Sequence, residues 1–195
     1  ENMFEFGLKA NEVEKIISEV KEIYGLDGWI MFGDFSKFYD NIIHEIAKHQ
    51  LLNLVEGNEF VSWLLEVIFK AFEIDVSYLS DNEYAKAFYG VFDKNEHRTI
   101  SDNLKIGSRF LKKSVDIGDQ LSQIIGIYYP NKIDTYIKYV RNQKYYGRYM
   151  DDWYIMSRAK DELIDLLNNI RRIASELGIH INSKKTRIVK ISATF

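Results

Sequence analysis

Asp151 and Asp152 stand side by side within Gly147-Arg148-Tyr149-Met150-Asp151-Asp152-Trp153-Tyr154-Ile155-Met156-Ser157. Tyr149 and Met150 before them, and Trp153, Tyr154 and Ile155 after them, favour extended structure. The Asp-Asp pair therefore reads as the turn of a β-hairpin. A hairpin that lifts two carboxylates above a sheet can hold a divalent cation. An Asp-Asp turn alone is more often solvated surface, so a metal site needs further acids. Asp34 is a candidate. It lies near the end of the apolar run Gly28-Trp29-Ile30-Met31-Phe32-Gly33-Asp34-Phe35, and an acid there needs a partner or a metal.

The elements that would position these acids follow from periodicity. Val13, Ile16, Ile17, Val20, Ile23 and Tyr24 have helical spacing behind Asn11 as N-cap, with Gly25 as a stop. The run from Gly28 to Phe35 reads as a buried strand, and Ser36 to Ile42 as a tight turn leading into a helix from about His44 to Leu54. A helix over Glu59 to Phe72 is expected to turn Phe60, Leu64, Val67, Ile68 and Ala71 inward, with Trp63 in the core. Ile74 to Lys113 reads as strands and loops. Asp119 is expected to cap a long helix carrying Leu121, Ile124, Ile125, Tyr128, Ile133, Tyr136, Ile137 and Val140 on one side. Pro130 should kink that helix or split it in two. After the hairpin come a helix over Asp161 to Leu177, closed by Gly178, and short strands at Ile179 to Asn182 and Arg187 to Ile191.

This order predicts an α+β fold: a split βαβ, ferredoxin-like or RRM-like, with an antiparallel sheet and helices packed on one face. The first strand then lies beside the hairpin, and Asp34 comes near Asp151 and Asp152. Three carboxylates at one sheet edge repel without a cation. With two Mg²⁺ ions about 3.5–4 Å apart they make a phosphoryl-transfer centre.

Composition narrows the chemistry. The 195 residues are 46% hydrophobic and 14% aromatic, enough for a sizeable core. No run of about 18 apolar residues offers a membrane span, and no signal peptide is evident; the expected location is cytoplasmic. Without cysteine, disulfides, thiolate zinc sites and thiol nucleophiles are excluded. His44, His49, His97 and His180 lack metal-ligand spacing, so a metal would be held by oxygen, as Mg²⁺ or Mn²⁺ is. The net charge of -3 is not that of a generic nucleic-acid binder. Its distribution is uneven, however: Arg171, Arg172, Lys184, Lys185, Arg187 and Lys190 face only Glu176 within the last part of the chain. Such clustering permits a local polyanion-binding surface or a solvated face. Basic side chains with Tyr145 and Tyr146 could track a nucleic-acid backbone. The start at Glu1 and the apolar end at Phe195 fit an excised piece of a longer protein.

Four blocks in order resemble the palm of reverse transcriptases. Asp34-Phe35-Ser36-Lys37-Phe38-Tyr39-Asp40 is similar to the first catalytic block, and Asn41-Ile42-Ile43-His44 to its continuation in bacterial members. Gly118-Asp119-Gln120-Leu121-Ser122-Gln123 resembles the Gly-x-x-x-Ser-Gln block, and Tyr149-Met150-Asp151-Asp152 the Tyr-x-Asp-Asp motif. Leu177-Gly178-Ile179-His180-Ile181-Asn182-Ser183-Lys184-Lys185-Thr186 resembles the block that follows. The resemblance implies a right-hand polymerase palm with partial fingers, 1–28 and about 74–115 being fingers or connecting elements and a thumb being absent.

It also implies residue roles. Asp34 and Asp151 would be the main ligands of two Mg²⁺ ions, for which Mn²⁺ can substitute, with Asp152 assisting and the Phe35 carbonyl completing a coordination position. Tyr39 falls where the family places an aromatic gate against the 2′-hydroxyl. Ser36 and the backbone amides around Lys37 and Phe38 would meet the triphosphate. Gly118, Ser122 and Gln123 would lie near the incoming nucleotide and its template base. Lys185 would neutralise or protonate leaving pyrophosphate, with Lys184 a competitor, whereas Asp40 and His44 look structural. The lead-in Ser114-Val115-Asp116-Ile117 lacks the family's frequent proline, which leaves that loop's shape open.

The implied activity is RNA-directed DNA synthesis from dNTPs on an RNA template and DNA primer, weak in an isolated piece. Tyr149 and Tyr39 argue against the nearest rival, an RNA-directed RNA polymerase of the same palm type. A nucleotide cyclase would need a Gly-Gly-rich turn, and a non-catalytic RNA- or protein-binding remnant would not need all three acids.

Overall fold

The computed structural model describes residues 28–55, 57–89, 109–116, 118 and 120–193, together with 15, 18, 19, 22 and 23. In chain order its elements are β1 (Trp29–Ser36), a 3-10 turn (Tyr39–Asn41), α1 (His44–Leu54), α2 (Glu59–Ala71), β2 (Ile74–Asp75), α3 (Asp81–Tyr89) and β3 (Phe110–Leu111). There follow α4 (Gln120–Tyr128), α5 (Asn131–Thr135), a π-helical turn (Tyr136–Val140), β4 (Tyr146–Tyr149), β5 (Asp152–Ser157), α6 (Lys160–Glu176), β6 (His180–Ile181) and β7 (Arg187–Lys190). The helix expected over Val13 to Tyr24 falls largely outside the described residues; Lys15, Ser18, Glu19, Glu22 and Ile23 are helical. Asp119, expected to cap α4, also lies outside them. Two compact units emerge, one formed by Glu1–Ser36 with Gly126–Phe195 and the other by Lys37–Ile125.

The first unit is built on an antiparallel sheet in the order β4-β5-β1-β6, with β7 also paired to β1. This is the expected α+β architecture. Strand β1 is central. Along one side it pairs with β5 from Trp29↔Ser157 to Asp34↔Asp152, and along the other with β7 and then β6. Directly opposed residues share a face. Met31, Ile155, Gly33 and Trp153 therefore point one way, and Ile30, Met156, Phe32, Tyr154, Asp34 and Asp152 the other. Gly33 has no room for a side chain, because a Cβ there would run into the Trp153 ring; a Cβ at Gly147 would likewise meet Tyr154. Helix α6 packs against β1, β5 and β6, burying Leu163, Leu166, Leu167, Ile170, Ile173 and Ala174 at helical spacing. Gly178 follows its end at φ 73°, the left-handed conformation that suits a helix terminus.

Two expectations change in this unit. The hairpin turn consists of Met150 and Asp151, with Tyr149 opposite Asp152, so Asp152 already belongs to β5. Met150 takes the turn's positive φ of 54° although methionine gives no turn signal. The long helix is split at Pro130, as expected, and that residue precedes α5. Ile133 and Ile137 are buried as expected, but Val140 is exposed.

The second unit holds α1 and α2, the short β2–β3 ladder and α3. The segment Lys112 to Val115 is stitched to the residues after β1: Ser114 and Val115 donate backbone N–H groups to the carbonyls of Ile42 and Tyr39, and His44 N–H to that of Lys112. Helix α2 runs as predicted, with Asn58 accepting from the Val61 N–H at 3.0 Å. Its inward face was misread. Leu65 and Phe69 are buried, while Phe60, Trp63, Leu64, Val67 and Ala71 are exposed. Ile124 on α4 is exposed as well. Helix α3 was not expected in a stretch read as strands and loops. It begins with a capping box, in which Ser80 N–H and Oγ donate to Glu83 and the Glu83 N–H donates to Ser80 Oγ.

Candidate active site

Asp34 is the penultimate-but-one residue of β1 and is only 4% exposed. Strand pairing sets it opposite Asp152. The next residue, Phe35, donates its N–H to the Asp151 carbonyl at 3.1 Å. All three acids thus meet at one end of the β1–β5 pair, as the sequence predicts. Burial, with the charge of Asp34 adding to it, pushes the Asp151 carboxyl above its ordinary range, against opposing bonds to its own backbone and the charge of Lys185.

Lys185 supplies the local positive charge. Its Nζ lies 2.8 Å from Asp34 Oδ2, while the rest of its side chain is mostly exposed. The bond to Asp34 and the nearby charges of Asp152 and Asp151 raise its pKa. The loop that carries it is organised by Asn182, whose N–H donates to the Asp34 carbonyl at 2.8 Å. The Asn182 carbonyl accepts from the N–H groups of Lys185 and Thr186 and from Thr186 Oγ1, and its Oδ1 accepts from the Lys184 N–H. Asn182 therefore couples the Lys185 turn directly to β1.

The donor set suits a hard cation: carboxylates and a carbonyl, with no sulfur or imidazole. A buried carboxylate flanked by two more requires compensating charge, which Lys185 gives to Asp34. Among the described residues, no three His, Asp or Glu side chains converge into a ready ligand cluster. The oxygens of Asp34, Asp151 and Asp152 fit the metal by type and by backbone placement, and binding would require their side chains to close in.

The other expected site residues lie in the second unit, apart from Phe35 and Ser36 at the end of β1. Lys37 takes a φ of 47°, and its carbonyl accepts from the Asn41 N–H and Nδ2. Phe38 is buried and meets half-buried Tyr39 edge-on at 5.4 Å between ring centres. The Tyr39 carbonyl accepts from Val115, so the lead-in to Gly118 is anchored without a proline. Gly118 has φ 114° with open space where a Cβ would stand. Ser122 is fully buried, and Gln123 is exposed. His44 behaves structurally, its Nε2 donating to the Ser114 carbonyl at 2.5 Å, and burial lowers its pKa.

Tyr145 and Tyr146 cannot track a nucleic-acid backbone as exposed rings, because both are buried. The Tyr146 hydroxyl donates to Asp134. Arg148, Asp134 and Asn182 were absent from the expected site: Asn182 bonds to Asp34 on β1, Arg148 to the Met150 carbonyl in the hairpin turn, and Asp134 to Arg148 and Tyr146 on β4. Only Asn182 gave a signal, through its place in the block around Lys185.

Among the described residues, no helix is long and apolar enough to cross a membrane. Comparison with curated proteins finds no match. Among solved structures the chain is similar to apo telomerase from Candida tropicalis, with a TM-score of 0.55 at 18% identity over 95% of this chain. The chain spans 33% of that telomerase chain, and at this identity the likeness concerns the fold. The sequence model described as reverse transcriptase (RNA-dependent DNA polymerase) matches residues 6–195. With that match across almost its whole length, the chain belongs to the reverse transcriptase family, whose members generally use divalent metal ions.

Proposed function

We propose that the chain is the palm-centred part of a bacterial-type RNA-directed DNA polymerase that works in the cytoplasm. It joins deoxynucleoside triphosphates to the 3′-hydroxyl of a DNA primer on an RNA template. Residues 1–28 and about 74–115 are assigned to fingers or connecting elements. The observation that carries this reading is the pairing of Asp34 with Asp152 while Asp151 accepts from Phe35 N–H. The continuation Asn41-Ile42-Ile43-His44 supports the bacterial type.

Asp34 and Asp151, assisted by Asp152 and the Phe35 carbonyl, would hold two Mg²⁺ ions, with Mn²⁺ as a substitute. When bound, such ions increase the acidity of the primer hydroxyl and neutralise charge on the triphosphate. Lys185 holds a positive charge beside Asp34 and can place it, or a proton, at leaving pyrophosphate. The Tyr39 ring excludes a 2′-hydroxyl. Ser36 and the amides of Lys37 and Phe38 receive the triphosphate. Gly118, Ser122 and Gln123 shape the nucleotide and template side.

Titrating the chain with Mn²⁺ by electron paramagnetic resonance tests this directly. Asp151→Asn should keep its melting temperature and lose most of the Mn²⁺ binding, and in the longer parent it should abolish primer extension. Equal Mn²⁺ binding in both proteins overturns the metal assignment. Comparing dNTP and rNTP incorporation by the parent and its Tyr39→Ala variant tests the sugar gate, which requires the variant to accept rNTPs more readily.

A further inference from the structure

Arg148 lies on β4, opposite Trp153, one strand away from β1. Its side chain is only 7% exposed, so its five N–H groups need acceptors within the protein. They find four residues. Nε and Nη2 grip the two oxygens of Asp134 at 2.9 and 2.6 Å, in the fork geometry peculiar to arginine. Nη2 also donates to the Ile127 carbonyl at 2.6 Å, and Nη1 approaches that of Gly126 at 3.5 Å. Both carbonyls belong to the last turn of α4, where helix carbonyls lack intrahelical donors and a cation is favoured. The remaining bond is the informative one. Nη1 donates to the carbonyl of Met150 at 2.8 Å, within the hairpin turn itself.

That carbonyl belongs to the peptide joining Met150 to Asp151. Met150 sits at φ 54°, a region that side-chain-bearing residues adopt rarely and hold only when their surroundings impose it. The peptide after Asp151 is fixed as well, because its carbonyl accepts from the Phe35 N–H at 3.1 Å. Arg148 holds one flank of Asp151, and β1 holds the other. Asp134, which also accepts from the Tyr146 hydroxyl, orients the guanidinium from α5. A lysine could supply the charge but not the fork together with the turn bond.

We propose that Arg148, oriented by Asp134, is a positioning residue that locks the Met150–Asp151 turn and so aims the Asp151 carboxylate for metal binding. The aiming step rests on the metal reading given under Proposed function; the locking of the turn does not. Two readouts on the 195-residue chain separate them: amide hydrogen exchange at Phe35 and Mn²⁺ affinity by electron paramagnetic resonance. Arg148→Lys should speed Phe35 exchange and weaken Mn²⁺ binding by about tenfold each. Leu166→Ala, a packing variant on α6, should leave Mn²⁺ affinity per folded molecule unchanged. Asp134→Asn provides the same comparison should Arg148→Lys not fold. Wild-type Phe35 protection and wild-type Mn²⁺ affinity in a folded Arg148 or Asp134 variant overturn the proposal. If the wild-type chain binds no Mn²⁺, the metal reading falls, and faster Phe35 exchange in the variant still supports the locked turn while unchanged exchange overturns it.

Discussion

Helices α6 and α2 are both amphiphilic in content but opposite in arrangement. Over its 17 residues α6 sorts its side chains, with six apolar residues buried on one side and the charges of Lys160, Asp161, Glu162, Asp165, Arg171, Arg172 and Glu176 elsewhere, Ile164 being its one exposed large apolar residue. Over its 13 residues α2 carries only Glu59, Glu66 and Lys70 as charges, buries Leu65 and Phe69, and leaves Phe60, Trp63, Leu64 and Val67 exposed. Periodicity identifies both as helices. It identifies the buried face only where polar residues mark the opposite one.

The largest effect that would test this contrast is in α6. Leu166 is fully buried, so Leu166→Ala should cost about 2–5 kcal/mol, read from the urea midpoint. A loss below about 1 kcal/mol would mean that α6 is less essential to its sheet than its burial indicates.

The second unit has its own buried liability. Lys113 is 2% exposed, and burial lowers its pKa from 10.5 to about 8 despite the opposing charge of Asp40. Between those values the unfolded chain binds more protons, so raising the pH across this window should stabilise the folded state. The gain should reach about 3 kcal/mol, at about 1.4 kcal/mol for each tenfold change in proton affinity. Lys113→Met should lose that slope in urea denaturation series at pH 8 and pH 10.5, and an unchanged slope would place the lysine's ammonium in water.

Gly33→Ala should cost about 1–3 kcal/mol by driving a methyl into Trp153, measured as a fall in melting temperature. The smallest effect returns to α2. Phe60→Ser and Trp63→Ser should each change stability by less than about 0.5 kcal/mol. A loss as large as that of Leu166→Ala would erase the contrast between the helices.

Much of the sheet and its acids was legible because short-range signals agree there. Apolar runs bounded by Gly28 and Ser36, a kink at Pro130 and a stop at Gly178 each have a local cause. Four spaced blocks then bring Asp34, Asp151 and Asp152 together. The misreadings also have physical reasons. In α2, near-uniform apolarity leaves the inward face undetermined, and the same weakness misplaces Ile124 and Val140. In α3 the signal was present, as Ser80 followed three residues later by Glu83, but a stretch rich in Asp, Asn and aromatics obscured it. The turn shifted by one residue because Met150, not a turn-former, adopts the positive φ. Arg148 and Asp134 are 14 residues apart, and a hydrogen bond across that distance leaves no periodic trace in the chain.

Gly33 has a consequence for chemistry that its size alone does not announce. In an antiparallel pair a slip of one residue turns every side chain to the opposite face, which would separate Asp34 from Asp152 and aim one of them into the core. Any such slip must also carry the Trp153 indole off Gly33 and set it opposite Phe32 or Asp34, both of which carry side chains where Gly33 has none. The glycine and the indole act as notch and key. A contact without charge thereby fixes which two charges face each other.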